Sequence, residues 1–223
     1  MNNNEFKIIT LAKNKILFWD TNELYLKIKR LIDIILSLTA IILLLPIFLI
    51  IIIAIRLDSE GKALFRHYRL GKNGKKIGIY KFRTMAINAD EIFRNFTREQ
   101  KEEYEKNFKL ENDPRITRIG NFLRKTSLDE LPQLLNILIG DMSLIGPRPV
   151  VEREIEKFGN RKNEYLSVLP GLTGWWACNG RSDTSYDERI ELELYYIRNI
   201  SFKLDIKVFF KTIYSVLKKD GAR

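Results

Sequence analysis

Read for its alternation of apolar and polar positions, the chain is dominated by one block. Residues 31–55 read LIDIILSLTAIILLLPIFLIIIIAI, with Asp33 the only charge. A helix needs about 20 apolar residues to cross a hydrocarbon core, and this block is long enough. It starts too late, runs too long and lacks the small-residue site of a cleaved signal peptide. Pro46 sits inside it, where a missing N–H and a bulky ring bend a helix. Both flanks are basic: Lys27, Lys29 and Arg30 before, Arg56, Lys62, Arg66 and Arg69 after. Positive charge favours the cytoplasmic side for both ends, which a helix that enters, breaks at Pro46 and returns satisfies. A kinked helix that crosses once stays open as the alternative. Asp33 lies one turn from Lys29 and Arg30 and is expected to pair with one of them at interface depth.

The remaining pattern is that of a mostly α protein with a small β-hairpin. Residues 1–25 carry no motif and are expected to form a loosely ordered or surface-lying extension. Residues 63–70 and 77–85 flank Gly71-Lys72-Asn73-Gly74 as hairpin strands. Asn88 with Glu91 starts a charged, exposed helix to about 108, and Asp113-Pro114 marks a turn. Residues 117–125, 128–139 and 150–158 read as helices, with Gly159 as a left-handed stop. Residues 169–183 are rich in glycine and turn formers, a functional or connecting loop. Ser185 with Glu188 opens a helix to about 197. In the last helix, 203–219, Ile206, Phe209, Phe210, Ile213, Val216 and Leu217 share one side, and Lys203, Lys207, Lys211 and Lys218 another. Such a helix suits an anionic membrane surface; a lysine-faced helix packed on a core is the competing reading. The chain thus divides into an extension (1–25), a membrane segment (26–56) and a catalytic unit (57–223).

Charge and composition narrow the chemistry. The 223 residues carry a formal charge of +10, which favours an anionic partner: nucleic acid, phospholipid or a phosphorylated substrate. One cysteine, Cys178, excludes an internal disulfide, and one histidine, His67, excludes a His-rich metal cluster. Carboxylates, arginines and lysines are left to do any catalysis.

Arg124-Lys125-Thr126-Ser127-Leu128-Asp129-Glu130 places two cations ahead of two adjacent carboxylates. At a helix start, an ionised Asp129 near a divalent cation and arginines can act as a nucleophile on phosphorus. The bland alternative is that Ser127 and Glu130 only close a capping box. Prolines on both sides of Arg148, in Gly146-Pro147-Arg148-Pro149, fix the backbone and suit its guanidinium to phosphate; a bond from Arg148 to loop carbonyls has equal weight. Pro170 to Trp176 and Asn179-Gly180-Arg181 make a second rigid loop, with Arg181 a further phosphate ligand and the tryptophans at an interface. Lys81 and Arg83 add positive charge, or are merely solvated.

In this order and spacing, the segments resemble the bacterial sugar transferase family, the polyprenyl-phosphate phosphoglycosyl transferases of the monotopic type. The resemblance runs from about Lys29 to the C-terminus. It covers Lys29-Arg30 and Asp33 leading into the block with its proline, Tyr80-Lys81-Phe82-Arg83-Thr84-Met85 and Ser127 to Leu131. It continues through Gly140-Asp141-Met142-Ser143, Gly146 to Pro149, Pro170 to Trp175 and Asn179-Gly180-Arg181.

The resemblance implies a monotopic membrane protein with a re-entrant helix-break-helix and amphipathic interfacial helices, its active site on the cytoplasmic face of the bacterial inner membrane. Asp129 would attack the β-phosphate of a UDP-sugar, releasing UMP and forming a covalent phosphosugar–aspartate. Polyprenyl (undecaprenyl) phosphate would then accept the phosphosugar, aided by Glu130, as a first membrane step of polysaccharide or glycoconjugate assembly. Magnesium would be the cofactor, on or near Asp129. Arg124, Arg148 and Arg181 would contact phosphate, with Lys81 and Arg83 as further substrate ligands and Asp33 and Pro46 as membrane-segment determinants. The implied partners are the UDP-sugar, the lipid carrier and a phospholipid membrane, with no nucleic acid; a homo-oligomer stays open. Departures are Leu45-Pro46 where the family often has Ser-Pro, and Trp176-Ala177-Cys178 where it commonly has Ala-Gln-Val. Two rivals remain: a membrane-tethered basic scaffold or nucleic-acid binder without catalysis, and a glycosyltransferase that releases UDP.

Overall fold

The computed structural model describes residues 3–107, 110, 112–180 and 184–218, with side chains described for 23–104, 110, 112–180 and 184–215. Arg181 lies outside the described residues. The first element, α1, is one helix over Asn3–Asp58 that passes through Pro46 without ending. Residues 3–25 therefore continue this helix, and the break expected at Pro46 is not seen. Its apolar stretch within Glu23–Asp58 is long enough to cross a membrane.

The polarity of α1 is reversed relative to a soluble helix. Tyr25, Asp33, Ser37, Ile51 and Ile55 are buried, while Leu31, Ile35, Ile42, Leu43, Leu45, Leu49, Ile50 and Ile53 are exposed. The buried residues are spaced close to whole numbers of helical turns, as one helix face must be, and that face includes the block's charge and a hydroxyl. Ala40, Ile41 and Leu44 pack against Ile77, Leu134 and Ile137. Further on, Phe48, Ile51 and Ile55 pack against Phe82 and Leu123. The helix thus lies along the domain from one end to the other. Asp33 does not pair with Lys29 or Arg30: it accepts the backbone N–H of Leu144 at 3.0 Å. Lys29 reaches Asp205 at 2.7 Å, and Arg30 donates to the carbonyls of Ile137 and Leu138 (2.5 and 2.7 Å). Each partner lies on the domain, so the polar face serves attachment.

The expected hairpin is present. Strands β1 (Leu64–Leu70) and β2 (Lys76–Phe82) pair antiparallel from Leu64↔Phe82 to Leu70↔Lys76. The charged stretch is two helices, α2 (Ala89–Arg94) and α3 (Arg98–Asn107). Helix α4 (Arg118–Thr126) is capped by Thr117, whose side chain accepts the Gly120 N–H. The expected helix over 128–139 is instead a 3₁₀ turn, Leu128–Glu130, followed by α5, Gln133–Ile139. Likewise 150–158 resolves into a short α6 (Glu152–Ile155) and a 3₁₀ segment (Glu156–Arg161) in which Gly159 has φ 52° and ψ −129°, not a left-handed helical stop. Helix α7 (Lys162–Tyr165) follows. Helix α8 (Tyr186–Arg198) opens on the Ser185–Glu188 capping box as expected, and α9 spans Phe202–Lys218.

A second sheet was not foreseen. Strands β3 (Ser143–Ile145) and β4 (Gly171–Thr173) pair in parallel and bring the two proline- and glycine-rich loops together. The approach is so close that a Cβ on Gly171 would lie 2.1 Å from the Gly146 nitrogen, and one on Gly174 2.1 Å from the Gly146 oxygen. Only hydrogen side chains fit there.

Candidate active site

Four segments converge on the Asp129–Glu130 pair. Lys81 leaves β2 on the same face as Ile77 and Ile79, two residues apart along the strand. Its ammonium lies 2.7 Å from Glu130 Oε1 and 3.9 Å from Asp129 Oδ2. The turn that carries the carboxylates is set by Ser127, whose φ of 56° and ψ of 18° end α4 in the left-handed region. In that conformation Ser127 makes no side-chain cap, so the capping box weighed as the alternative does not form. Glu130 is thereby released to face Lys81.

The Lys81-Phe82-Arg83-Thr84 run divides its work by residue. Phe82 is fully buried against α1 and α4. Thr84 Oγ1 accepts the Arg124 Nε at 2.9 Å, fixing that guanidinium near the carboxylates. Arg83 donates to the carbonyls of Ser59, at 2.7 Å, and Glu60, fastening the end of α1 to the domain. Its head is thus held away from the Lys81–Glu130 pair.

Burial pushes the Asp129 carboxyl above its ordinary value; Glu130 adds to this, while Lys81 and Arg124 pull it down. The same burial depresses the Arg124 guanidinium, which Asp129 counters. These groups hold each other's charge in a partly desolvated turn, as an anionic substrate site requires.

Arg148 is held by its backbone. Its N–H donates to Glu193 Oε1 at 3.0 Å, and its carbonyl accepts the Tyr165 hydroxyl. Its guanidinium lies 5.9 Å from the Trp176 ring centroid. It faces a cavity shared with His67, Arg69, Lys81, Glu130 and Glu193. Burial and the neighbouring charges of Arg69, Lys81 and Arg148 carry His67 down to about 4, so its ring stays neutral near pH 7.

Beside this cavity runs an apolar groove of about 490 Å³ between α1 and α9. Ile32 and Leu36 line it from α1 and Ile206, Phe209, Phe210 and Ile213 from α9, and Glu130 and Arg148 line it too. Helix α9 packs on the domain through Leu204 and Val208, leaving its Phe209–Phe210–Ile213 face exposed. Lys207 and Lys211 each lie 5.1 Å from the Trp175 ring, so part of the lysine side grips the 171–180 loop.

A family model described as bacterial sugar transferase matches residues 24–219. The chain belongs to the bacterial sugar transferase family. It is 46% identical over 198 residues to the UDP-galactose-lipid carrier transferase of Erwinia amylovora, covering 87% of this chain and 41% of the relative. It is 43% identical over 198 residues to the undecaprenyl-phosphate galactose phosphotransferase of Salmonella typhimurium, with 87% and 41% covered. Against the exopolysaccharide production protein ExoY of Rhizobium meliloti, identity is 43% over 197 residues, with 87% of each chain covered. The chain therefore spans about two fifths of the length of the first two and most of the third.

In this bacterial sugar transferase the structure brings Lys81, Arg124, Asp129, Glu130 and Arg148 into one region and commits Arg83 to the end of α1. Sequence reasoning missed Arg189 and Glu193 of α8. Both are buried with Ile190 and Leu194, and their four-residue spacing on that apolar face was the available signal.

Proposed function

We propose that this chain transfers a sugar 1-phosphate from a UDP-sugar to polyprenyl phosphate at the cytoplasmic face of the bacterial inner membrane, through a phosphosugar bonded to Asp129. The observation that carries this reading is that Glu130 and Arg148 line both the charged cavity and the apolar groove. One site thus faces a soluble anionic donor and an acceptor whose phosphate is attached to a hydrocarbon tail. The printed names of the relatives, a UDP-galactose-lipid carrier transferase and an undecaprenyl-phosphate phosphotransferase, support the same pair of substrates.

In the first half-reaction, an Asp129 oxygen forms a bond to the β-phosphorus as the bond from that phosphorus to the bridging oxygen breaks, and UMP leaves with the electron pair. In the second, a phosphate oxygen of the lipid bonds to the same phosphorus and the Asp129 carboxylate is regenerated. Lys81 and Arg124 favour the ionised form of Asp129 against its burial, and Arg148 meets charge on the transferred phosphate. Glu130, paired with Lys81, orients that ammonium between the carboxylates. Magnesium typically binds through one or two carboxylates plus substrate phosphates, so the adjacent pair fits it without a protein cage. Asp129 would hold the ion, which when bound supplies charge against the diphosphate.

The attachments of α1 support the membrane arrangement. Tyr25 and Lys29 at one end of the apolar stretch are bound to Asp205, and at the other end Asp58 accepts the Ile119 N–H. One domain holds both ends, which supports a helix that dips into the membrane and keeps both ends on the domain's side. The reading is tested with UDP-sugars labelled on the β-phosphate, magnesium and no lipid. Label attached to the wild-type polypeptide, equimolar UMP and no label on Asp129→Asn are expected. Turnover without labelled protein, or UDP as the product, overturns it.

A further inference from the structure

The cavity holding Lys81 and Glu130 has an inner wall with no part in the phosphate chemistry, and Glu193 forms it. The residue is 1% exposed. Its Oε1 accepts the Arg148 N–H at 3.0 Å, while Oε2 is buried with no hydrogen-bond partner among the described residues. Leaving a buried carboxylate oxygen bare costs native stability. Burial carries the carboxyl up to about 7, against the pull of the Arg148 N–H and the charges of Arg189 and Arg148. A group so expensive to bury, on the wall of a substrate cavity, is explained by a partner that is not part of the chain.

The cavity's remaining wall is backbone and one ring. Gly146, Gly171 and Gly174 line it, and their interlocking leaves no room there for side chains. Trp176 closes one side, its indole 4.6 Å from Arg189. With about 40 Å³ of space, the recess has room for a hydroxyl or two rather than a whole sugar ring, and its bare carboxylate oxygen suits a hydroxyl donor.

Resting on the reaction proposed above, we infer that the sugar of the donor lies at this recess with one hydroxyl inside it and that Glu193 Oε2 accepts a hydrogen bond from that hydroxyl, making Glu193 a specificity-determining residue. The nucleotide departs after the first half-reaction, whereas the sugar stays while the lipid enters. The recess shares Leu172, Thr173 and Trp176 with the apolar groove. The retained sugar therefore lies beside the phosphate that must next attack. A donor lacking the bonded hydroxyl leaves Oε2 unpaired, the arrangement in which proteins discriminate most strongly.

The test is a cycle on the full-length protein in lipid nanodiscs. UMP release from a UDP-hexose panel first identifies the working donor; a wild type that releases none from any refutes the reaction and not this recess. Donors deoxygenated at each ring position in turn are then compared in wild type and Glu193→Gln. Wild type is expected to lose about tenfold or more in kcat/KM for one deoxy donor, and Glu193→Gln to shrink that ratio to within about threefold. Inhibition by UMP should stay within about twofold. Glu193→Asp, which keeps the charge but withdraws it by a methylene, is expected to keep the fold and reduce the same ratio. Equal losses for every donor in both variants indicate support for Arg148 only and overturn the inference. A selective change in UMP inhibition overturns it in favour of nucleotide recognition.

Discussion

Lys81 stands between two carboxylates that would otherwise repel each other, and its removal should be felt most at Asp129. Burial raises that carboxyl and Lys81 is the largest influence lowering it. In Lys81→Met the acid limb of the kcat/KM profile is therefore expected to move to higher pH, with activity near neutrality down about 100-fold. An unmoved limb would show that Asp129 is ionised by other means. Asp129 also carries a stability consequence. Its folded pKa lies above its unfolded one, so its contribution is present below the unfolded value and lost as pH rises through the folded one. At pH 7 Asp129→Asn should melt at a higher temperature than wild type while losing turnover, measured by thermal unfolding in detergent. The pairing of Asp129 with nearby cations was legible from Arg124 to Glu130 alone. The pairing of Glu130 with Lys81 was not, because a capping box needs an extended Ser127 and the chain turns left-handed there. Arg83 reads as a phosphate ligand in sequence because nothing local reveals the α1 carbonyls that it meets.

Among the elements, α1 shows most clearly what apolar patterning conveys. Its apolar character was plain from composition, but which face docks on the domain was not, since that depends on contacts as distant as Leu144 and Asp205. Holding both ends of the apolar stretch on one domain predicts a labelling result. With Cys178 replaced by serine, cysteines at Glu23 and Glu60, both exposed, should react with a membrane-impermeant maleimide from the same side of sealed vesicles. Reaction from opposite sides would establish a crossing. Helix α9 was legible as amphipathic, and its apolar face is indeed left open, yet Leu204 and Val208 form a second, buried stripe. If the groove takes the lipid tail, Phe209→Ser with Phe210→Ser should raise KM for polyprenyl phosphate about tenfold or more, from the lost burial of two aromatic rings. KM for the UDP-sugar should stay within about twofold. Strands β3 and β4 escaped notice because three residues are too short to show an alternating pattern; glycine contacts make the pair.

For the molecule as a whole, the Ser127–Glu130 turn, the hairpin and the first and last helices meet at one seam, so the charged cavity and the apolar groove share residues such as Glu130 and Arg148. That convergence was legible only through the ordered motifs. Their spacing shows that they belong together, while the distances between them come from the fold. Asp205 makes this concrete. It accepts from Tyr25, Lys29 and Tyr196, and its link to Tyr25 joins residues 180 positions apart. During synthesis, then, the greasy helix emerges from the ribosome long before the acid that neutralises Lys29 has been made. Until that moment the charge of the lysine is left to water to solvate. Final seating of the first helix is in this way deferred until a residue 176 positions further along has been translated.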